Sequence, residues 1–481
     1  MLFPQLAALA LSLSLSLLPL SHAAETVLGV YMFHRHGDRT AKSTPPANLT
    51  ALGYSQVYTS GQYYRNRYIA ANAALKINGI NTDIVKQSQI AVSAPSDVVL
   101  QSSAQAFLQG LYPPVGSALG TQTLRNGTNV TAPLNGYQLI PVALVTSGSG
   151  SEDNGWLQDA SNCANAETSS NNYFSSAEYK ATLAATNNFY KSIAPVVNRT
   201  FTDSQISYKN AYIVYDLLHV AEIHNATIQS ADLLTPETLF QLKTRADQHE
   251  WALAYNASDN MRAIGGMTLA AEVVDFLNNT ITSQGKNKIS IQFGAYASFL
   301  SFFGLAGLPA VNPDFYGVTD YASAMTFELF TNGPATPFPA ASGLQVRFLF
   351  HNGTTSATNE PVAYPLFGQS NPAIPWSDFV TGMSKFSVGT TEQWCTACGN
   401  TTGVCAPFSQ TSSSGSAGLA QSKMGGGMSN AVAGVIGAFV TLAVILGIQA
   451  LVMLLGGLRI VNKRMVAHPL TQRESVELGK M

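Results

Sequence analysis

Charge is scarce in this sequence. Asp, Glu, Lys and Arg make up 11% of its 481 residues, and 27 acids against 25 Lys and Arg leave a formal net charge of −2. A nearly neutral chain offers no basic surface with which to follow a phosphodiester backbone, so nucleic acid is excluded as a partner. Cysteine is scarce too. There are four, Cys163 alone in mid-chain and Cys395, Cys398 and Cys405 together near the end. Cys395-x-x-Cys398 has no second CxxC and no histidine cluster beside it, so two structural disulfides are expected rather than a zinc site or a redox pair. Three pairings are possible and the spacing does not choose. A nucleotide loop ending in GK[ST] is also missing, so Ile264-Gly265-Gly266-Met267 reads as the tightly packed start of a helix.

Apolar residues are abundant, at 46% of the chain, enough for a large core in one domain or two closely joined ones. Leu6–Leu20 is an uninterrupted run of Leu, Ala and Ser with one Pro, followed by Ser21-His22-Ala23. Residues 1–23 are therefore expected to be a cleaved secretory signal peptide. Ala431–Leu458 is broken only by Thr441 and Gln449, and exceeds the ~20 residues that cross a bilayer as a helix. Arg459, Lys463 and Arg464 follow it at once, which places the carboxyl end in the cytosol. The expected topology is an ectodomain over 24–408, a Gly/Ser-rich linker over 409–429, a membrane helix over 431–458 and a cytosolic tail over 459–481. Such a single-pass protein would sit at the cell surface or in a secretory-pathway membrane. Nine N-x-S/T sequons lie between the two apolar ends, at Asn48, Asn126, Asn129, Asn198, Asn225, Asn256, Asn278, Asn352 and Asn400, and suggest a glycosylated lumenal surface.

The chemistry concentrates in Thr26–Thr40. Val27–Phe33 is an almost wholly apolar run, as in a strand buried on both faces of a parallel sheet. It stops at His34, and Arg35, His36, Gly37, Asp38 and Arg39 follow. Open α/β sheets bind ligands beyond the carboxyl ends of their strands. Guanidinium forks match phosphate oxygens in geometry and charge, and a histidine held between them can attack phosphorus. His36 is the candidate nucleophile, Arg35 and Arg39 are the candidate phosphate ligands, and Lys42 is a supplement.

Arg35-His36-Gly37-Asp38-Arg39 resembles the RHGxRxP signature of the histidine acid phosphatases, the acid-phosphatase and phytase branch of the histidine phosphatase superfamily. Leu49–Tyr68 resembles the LTxxGxxQxxxxGxxxRxRY helix of that family, and Ser103–Pro114 resembles another of its helices. The resemblance spans residues 26–400 or so. It implies an α/β domain with a mixed, mostly parallel sheet flanked by helices, of the phosphoglycerate-mutase-like kind, and a helical insert near 147–270. It also implies phosphomonoester hydrolysis through a phosphohistidine, with no metal or organic cofactor, and a small phosphomonoester or similar anion as ligand. The chain departs from the pattern. Ala41 replaces the signature proline. The third arginine that binds phosphate in the family aligns with Val99, within a stretch whose only charge is Asp97. The family's His-Asp pair, which follows the strand at Ile289–Gly294, aligns with Ala295 and Tyr296.

A phenol, with a pKa near 10, is a far weaker acid than aspartic acid near 3.9, and losing general-acid help typically costs on the order of 10²–10⁴ in rate. The acids left nearby in the sequence are Asp38 and the loop pair Glu152-Asp153. Two readings follow, a membrane-anchored acid phosphatase of impaired rate or a pseudophosphatase with a binding or structural role. His219, His224 and His249 lie in the insert and read as packing residues, as Glu328 reads as a structural partner in a strand near Thr326–Phe330. Further strands are expected at Leu139–Val145, Leu344–His351 and Glu360–Leu366.

Overall fold

The structure, a computed structural model, describes residues 25–145, 162–225, 230 and 232–409. The expected signal peptide, membrane helix and tail lie outside these residues, as do all but the first residue of the linker and the Glu152-Asp153 loop. Among the described residues no helix is long and apolar enough to cross a membrane.

The apolar run becomes β1, Thr26–Arg35, buried along nearly its whole length at the middle of an eight-stranded sheet. Its partners are β2 (Ile90–Pro95), β3 (Ala143–Val145), β4 (Ile289–Gly294), β5 (Ala324–Thr331), β6 (Gln345–His351), β7 (Val362–Tyr364) and β8 (Ala373–Pro375). The strand order is β8-β6-β5-β1-β4-β2-β3, with β7 also on β6. On one side of β1 the pairings β1/β4, β4/β2 and β2/β3 are parallel. On the other side β1/β5, β5/β6, β6/β8 and β6/β7 are all antiparallel. The sheet is therefore mixed but not mostly parallel. The connection from β5 to β6 holds no crossover helix, only the single turn Ala341–Gly343, and it returns the strand antiparallel. The strand expected at Leu139–Val145 keeps only its last three residues, because Pro141 has no N–H to give a ladder.

Helices cover both faces. α1 (Ala51–Tyr68) and α2 (Val98–Leu111) bury Val57, Tyr64, Phe107 and Leu111 against one face. On the other face α5 (Ile264–Thr282) and α6 (Tyr296–Leu305) pack Leu269, Leu277, Phe299 and Phe302 on Leu28, Tyr31 and Phe33 of β1. Between β3 and α5 lies the helical insert, which includes α3 (Ala211–His224) and α4 (Pro236–Ala254) and has its own tyrosine-rich core around Tyr190, Tyr208 and Leu218. Disulfides Cys163–Cys398 and Cys395–Cys405 tie the start of that insert to the carboxyl-terminal helix Thr391–Cys398. This selects one of the three possible pairings.

Candidate active site

The motif loop leaves the end of β1 and folds onto the first turn of α1. Thr50 caps that helix, accepting from Gly53 N–H at 3.0 Å. Contact there is backbone on backbone. A Cβ on Gly37 would come within 2.2 Å of the Gly53 carbonyl, and one on Gly53 within 2.0 Å of the Asp38 carbonyl, so both positions must be glycine. Gln56 accepts from the Asp38 amide at 2.8 Å, and Ser103 of α2 accepts from the Gly37 amide at 3.3 Å. The residues that match the family's helices are those that grip this loop.

His36 is fully buried, with Nδ1 2.7 Å from the Gly37 carbonyl. A carbonyl only accepts, so Nδ1 carries the proton and, in the neutral ring, Nε2 carries the lone pair. That is the tautomer a nucleophile needs. His34, on the same strand, has its pKa lowered to about 4 by burial and stays neutral.

The arginines are brought beside His36, but they are engaged. Arg39 is fully buried and donates from Nη1 to both carboxylate oxygens of Asp216 on α3, at 2.9 and 3.2 Å. Asp216 also accepts from the Lys42 amide at 2.8 Å. Arg35 donates to the Thr319 carbonyl and to the Tyr212 hydroxyl, the latter at 3.4 Å, and its guanidinium lies 4.9 Å from the Tyr321 ring and 5.4 Å from that of Tyr296. Burial pushes the Tyr212 phenol up to about 12, so it stays protonated between the two arginines. The Lys42 ammonium stands over the rings of Tyr212 and Tyr296 at 5.4 and 5.6 Å. The cavity next to Arg35 measures about 20 Å³ and is walled by Tyr212, Asp216, His219, Asp320 and Tyr321. That is room for about one water, not for a phosphate.

Val99 is buried in α2, and Ala295 is the buried N-cap of α6. Tyr296 sends its hydroxyl to Glu250 at 2.8 Å, and the other Glu250 oxygen lies 2.7 Å from His249 Nδ1. Asp38 does not serve as the missing acid in this arrangement. Its carboxylate accepts from Thr50 and lies 2.6 Å from His224 Nε2, so it braces the loop. His249 and His224 are thus hydrogen-bonded within or from the insert, while His219 forms part of the cavity wall, its pKa lowered by burial. Glu328 is buried and held by Arg67, Tyr68 and Arg347, far along the sheet from the loop. Among the described residues no group of three His, Cys, Asp or Glu side chains is placed to hold a metal.

Tyr212, Asp216, Asp320 and Tyr321 could not be assigned to the site from local motifs. One signal was available: Tyr212, Asp216 and His219 stand at i, i+4 and i+7, one face of a helix. Of the sequons, Asn256 and Asn400 are half-buried and the other seven exposed.

A histidine with Nδ1 on a carbonyl and two arginines beside it in the chain thus stand at the strand ends of a mixed α/β sheet with a helical insert. The sequence model of the histidine phosphatase superfamily (branch 2) matches residues 44–351, more than half of the chain, and the chain belongs to that family. The matched segment begins just after the motif loop. The chain is similar to prostatic acid phosphatase of Bos taurus, with 25% identity over 317 residues that cover 63% of this chain and 73% of that protein. Its fold is similar to that of the phytase of Citrobacter braakii, at TM-score 0.51 and 12% identity over 78% of this chain and 99% of the other. It is also similar to the phytase of D. castellii, at TM-score 0.51 and 14% identity over 82% and 87% of the two chains.

Proposed function

We propose that this histidine acid phosphatase-type protein hydrolyses phosphomonoesters through a phosphohistidine at His36, at a rate impaired by the missing general acid and third arginine. The observation that carries this reading is the His36 tautomer, in which the Gly37 carbonyl holds the proton on Nδ1 and so puts the lone pair on Nε2. In the first step Nε2 bonds to phosphorus and the ester P–O bond breaks. An aryl ester departs as a stabilised phenolate and needs little protonation, whereas an alkyl ester departs as a poor alkoxide and needs an acid. In the second step water attacks phosphorus, the N–P bond breaks, and a base must take the proton. The same missing group would serve both steps. Substrate entry requires α3 to move Asp216 and Tyr212 off the arginines.

A second reading, a pseudophosphatase with a surface binding or structural role, is favoured by the Arg39–Asp216 pair and by the 20 Å³ cavity. We further infer a single-pass membrane anchor at 431–458 and a glycosylated lumenal ectodomain, supported by the 28-residue apolar run with its basic flank and by the nine sequons. The test is hydrolysis of an aryl and an alkyl phosphate at acidic pH by the native chain and His36→Ala. Aryl hydrolysis that is lost with His36 supports the first reading. No activity above the His36→Ala background supports the second.

A further inference from the structure

A second cavity, of about 990 Å³, opens between the insert and the far edge of the sheet. That is the upper end of the ~300–1,000 Å³ range of small-ligand sites. Its walls are aromatic. Trp251 and Tyr255 come from the end of α4, Phe315 and Tyr316 from the loop before β5, and Phe350 and Tyr364 from β6 and β7. Trp251 meets Tyr316 edge-on at 4.7 Å and Tyr255 at 5.5 Å. Tyr255 is held flat on α6, where a Cβ on Gly304 would come within 2.2 Å of its ring. Yet Tyr316 is 48% exposed and Val362, also in the wall, 53%. Polar groups share the wall with these rings, among them Glu178, Asp247, Gln248, Asn312 and Asp314. The half-buried Asp247 carboxylate accepts from Val318 N–H at 2.8 Å and from Lys243 at 3.1 Å. Fixed aromatic faces interspersed with carboxylate and amide groups suit a carbohydrate, whose C–H faces stack on rings while its hydroxyls find acceptors.

Two sequon asparagines, Asn256 and Asn352, also line this cavity. Asn352 is committed to the β5 loop, accepting from Asp320 N–H at 2.7 Å and donating to its carboxylate at 3.2 Å. Asn256 directly follows Tyr255. Its Oδ1 accepts from Ser258 N–H at 2.9 Å and Ser258 hydroxyl at 2.8 Å, which leaves the amide nitrogen as the glycan-bearing end. It is one of only two half-buried sequons.

We propose that the N-linked glycan of Asn256 folds back into this cavity, with its inner sugars stacked on Trp251, Tyr255 and Tyr316. The inference rests on the lumenal reading of the ectodomain given above. It makes the cavity a cradle for a covalent carbohydrate of this same chain, and it explains how so much aromatic surface stays covered.

The experiment uses the full chain made in a eukaryotic secretory host. Glycopeptide mass spectrometry gives occupancy, and native peptide-N-glycosidase digestion gives release rates at Asn256 and at Asn126, on the exposed turn of the hairpin Thr121–Thr131. A cradled glycan is released about ten-fold more slowly than that of Asn126, since release waits on local opening. In the Trp251→Ala/Tyr316→Ala variant the difference collapses while the Asn126 rate is unchanged. Equal rates in the native chain, or a bare Asn256 beside an occupied Asn126, overturn the inference alone. Quenching of tryptophan fluorescence by free N-acetylglucosamine together with equal rates would assign the cavity to an external sugar, and also overturns it. If no sequon carries a glycan, the lumenal reading falls first.

Discussion

The two sides of the β1 edge contrast sharply. On the α1 side the loop is held by close backbone packing of Gly37 on Gly53 and by hydrogen bonds from the Asp38 amide to Gln56 and from the Gly37 amide to Ser103. His36 emerges from that grip in the tautomer of a nucleophile. On the β4 and insert side stand Ala295 and Tyr296, and Asp216 is paired with Arg39. The loop's shape depends chiefly on the two helices α1 and α2, and its charge depends on groups that arrive from the insert. One half can therefore be kept while the other is lost.

The comparison breaks most visibly at the nucleophile. His36→Ala is expected to lower aryl phosphatase activity by roughly 10³-fold or more, the scale on which a lost nucleophile acts, with circular dichroism unchanged. An activity that survives would mean His36 is only part of the packed loop. Restoring the lost side should sharpen the contrast. Ala295→His with Tyr296→Asp is expected to raise alkyl phosphate turnover by about 10²–10⁴, the usual worth of a general acid, and to leave the aryl rate nearly unchanged. Equal gains on both esters would show that protonation of the leaving group was not the deficit.

Asp216→Ala comes next. It leaves Arg39 buried without its carboxylate, and a loss of roughly 3–5 kcal/mol is expected in denaturant unfolding. Inorganic phosphate should stabilise the variant more than it stabilises the native chain, because an anion binding only the folded state stabilises it and the variant offers Arg39 without its competing carboxylate. Recovery equal in both would show that Asp216 does not stand in the anion's place.

The smallest effect is in pH. Burial, with the neighbouring Asp275 carboxylate, raises the Glu272 carboxyl from 4.5 to about 7. The folded state then binds the extra proton between pH 4.5 and 7, so stability from this group falls as pH rises through that window. His34, lowered from 6.5 to about 4, acts in the opposite sense, and stability rises as pH climbs from 4 to 6.5. Glu272→Gln should remove the falling slope and leave the rise. An unaltered melting-temperature profile would contradict this.

Much of the fold could be read from periodicity. Val27–Phe33, Ile289–Gly294 and the Leu49–Tyr68 helix lie within a residue or two of the observed elements on one side, though β1 runs on to Arg35. Strand direction could not, because it is set by the length of the connection rather than by the strand's own residues. The motif loop was legible since its residues are consecutive and Gln56, which holds the Asp38 amide, follows 18 residues on. Asp216 was not, since the Arg39 it meets is 177 residues away. The disulfide pairing was hidden for a similar reason. Cys163 finds Cys398 across a sequence separation of 235, through packing of the insert on the carboxyl-terminal helix.

The most direct measurement is alkaline-quench mass spectrometry of the native chain mixed with an aryl phosphate. Phosphorylation needs no acid with this leaving group, whereas the attack of water lacks its base, so the phosphoenzyme should accumulate. The expected result is an acid-labile, base-stable phosphate on the peptide that contains His36, absent in His36→Ala. An unmodified His36 peptide, with substrate in excess and no burst of phenol, would contradict the nucleophile assignment and leave the pocket without its chemistry.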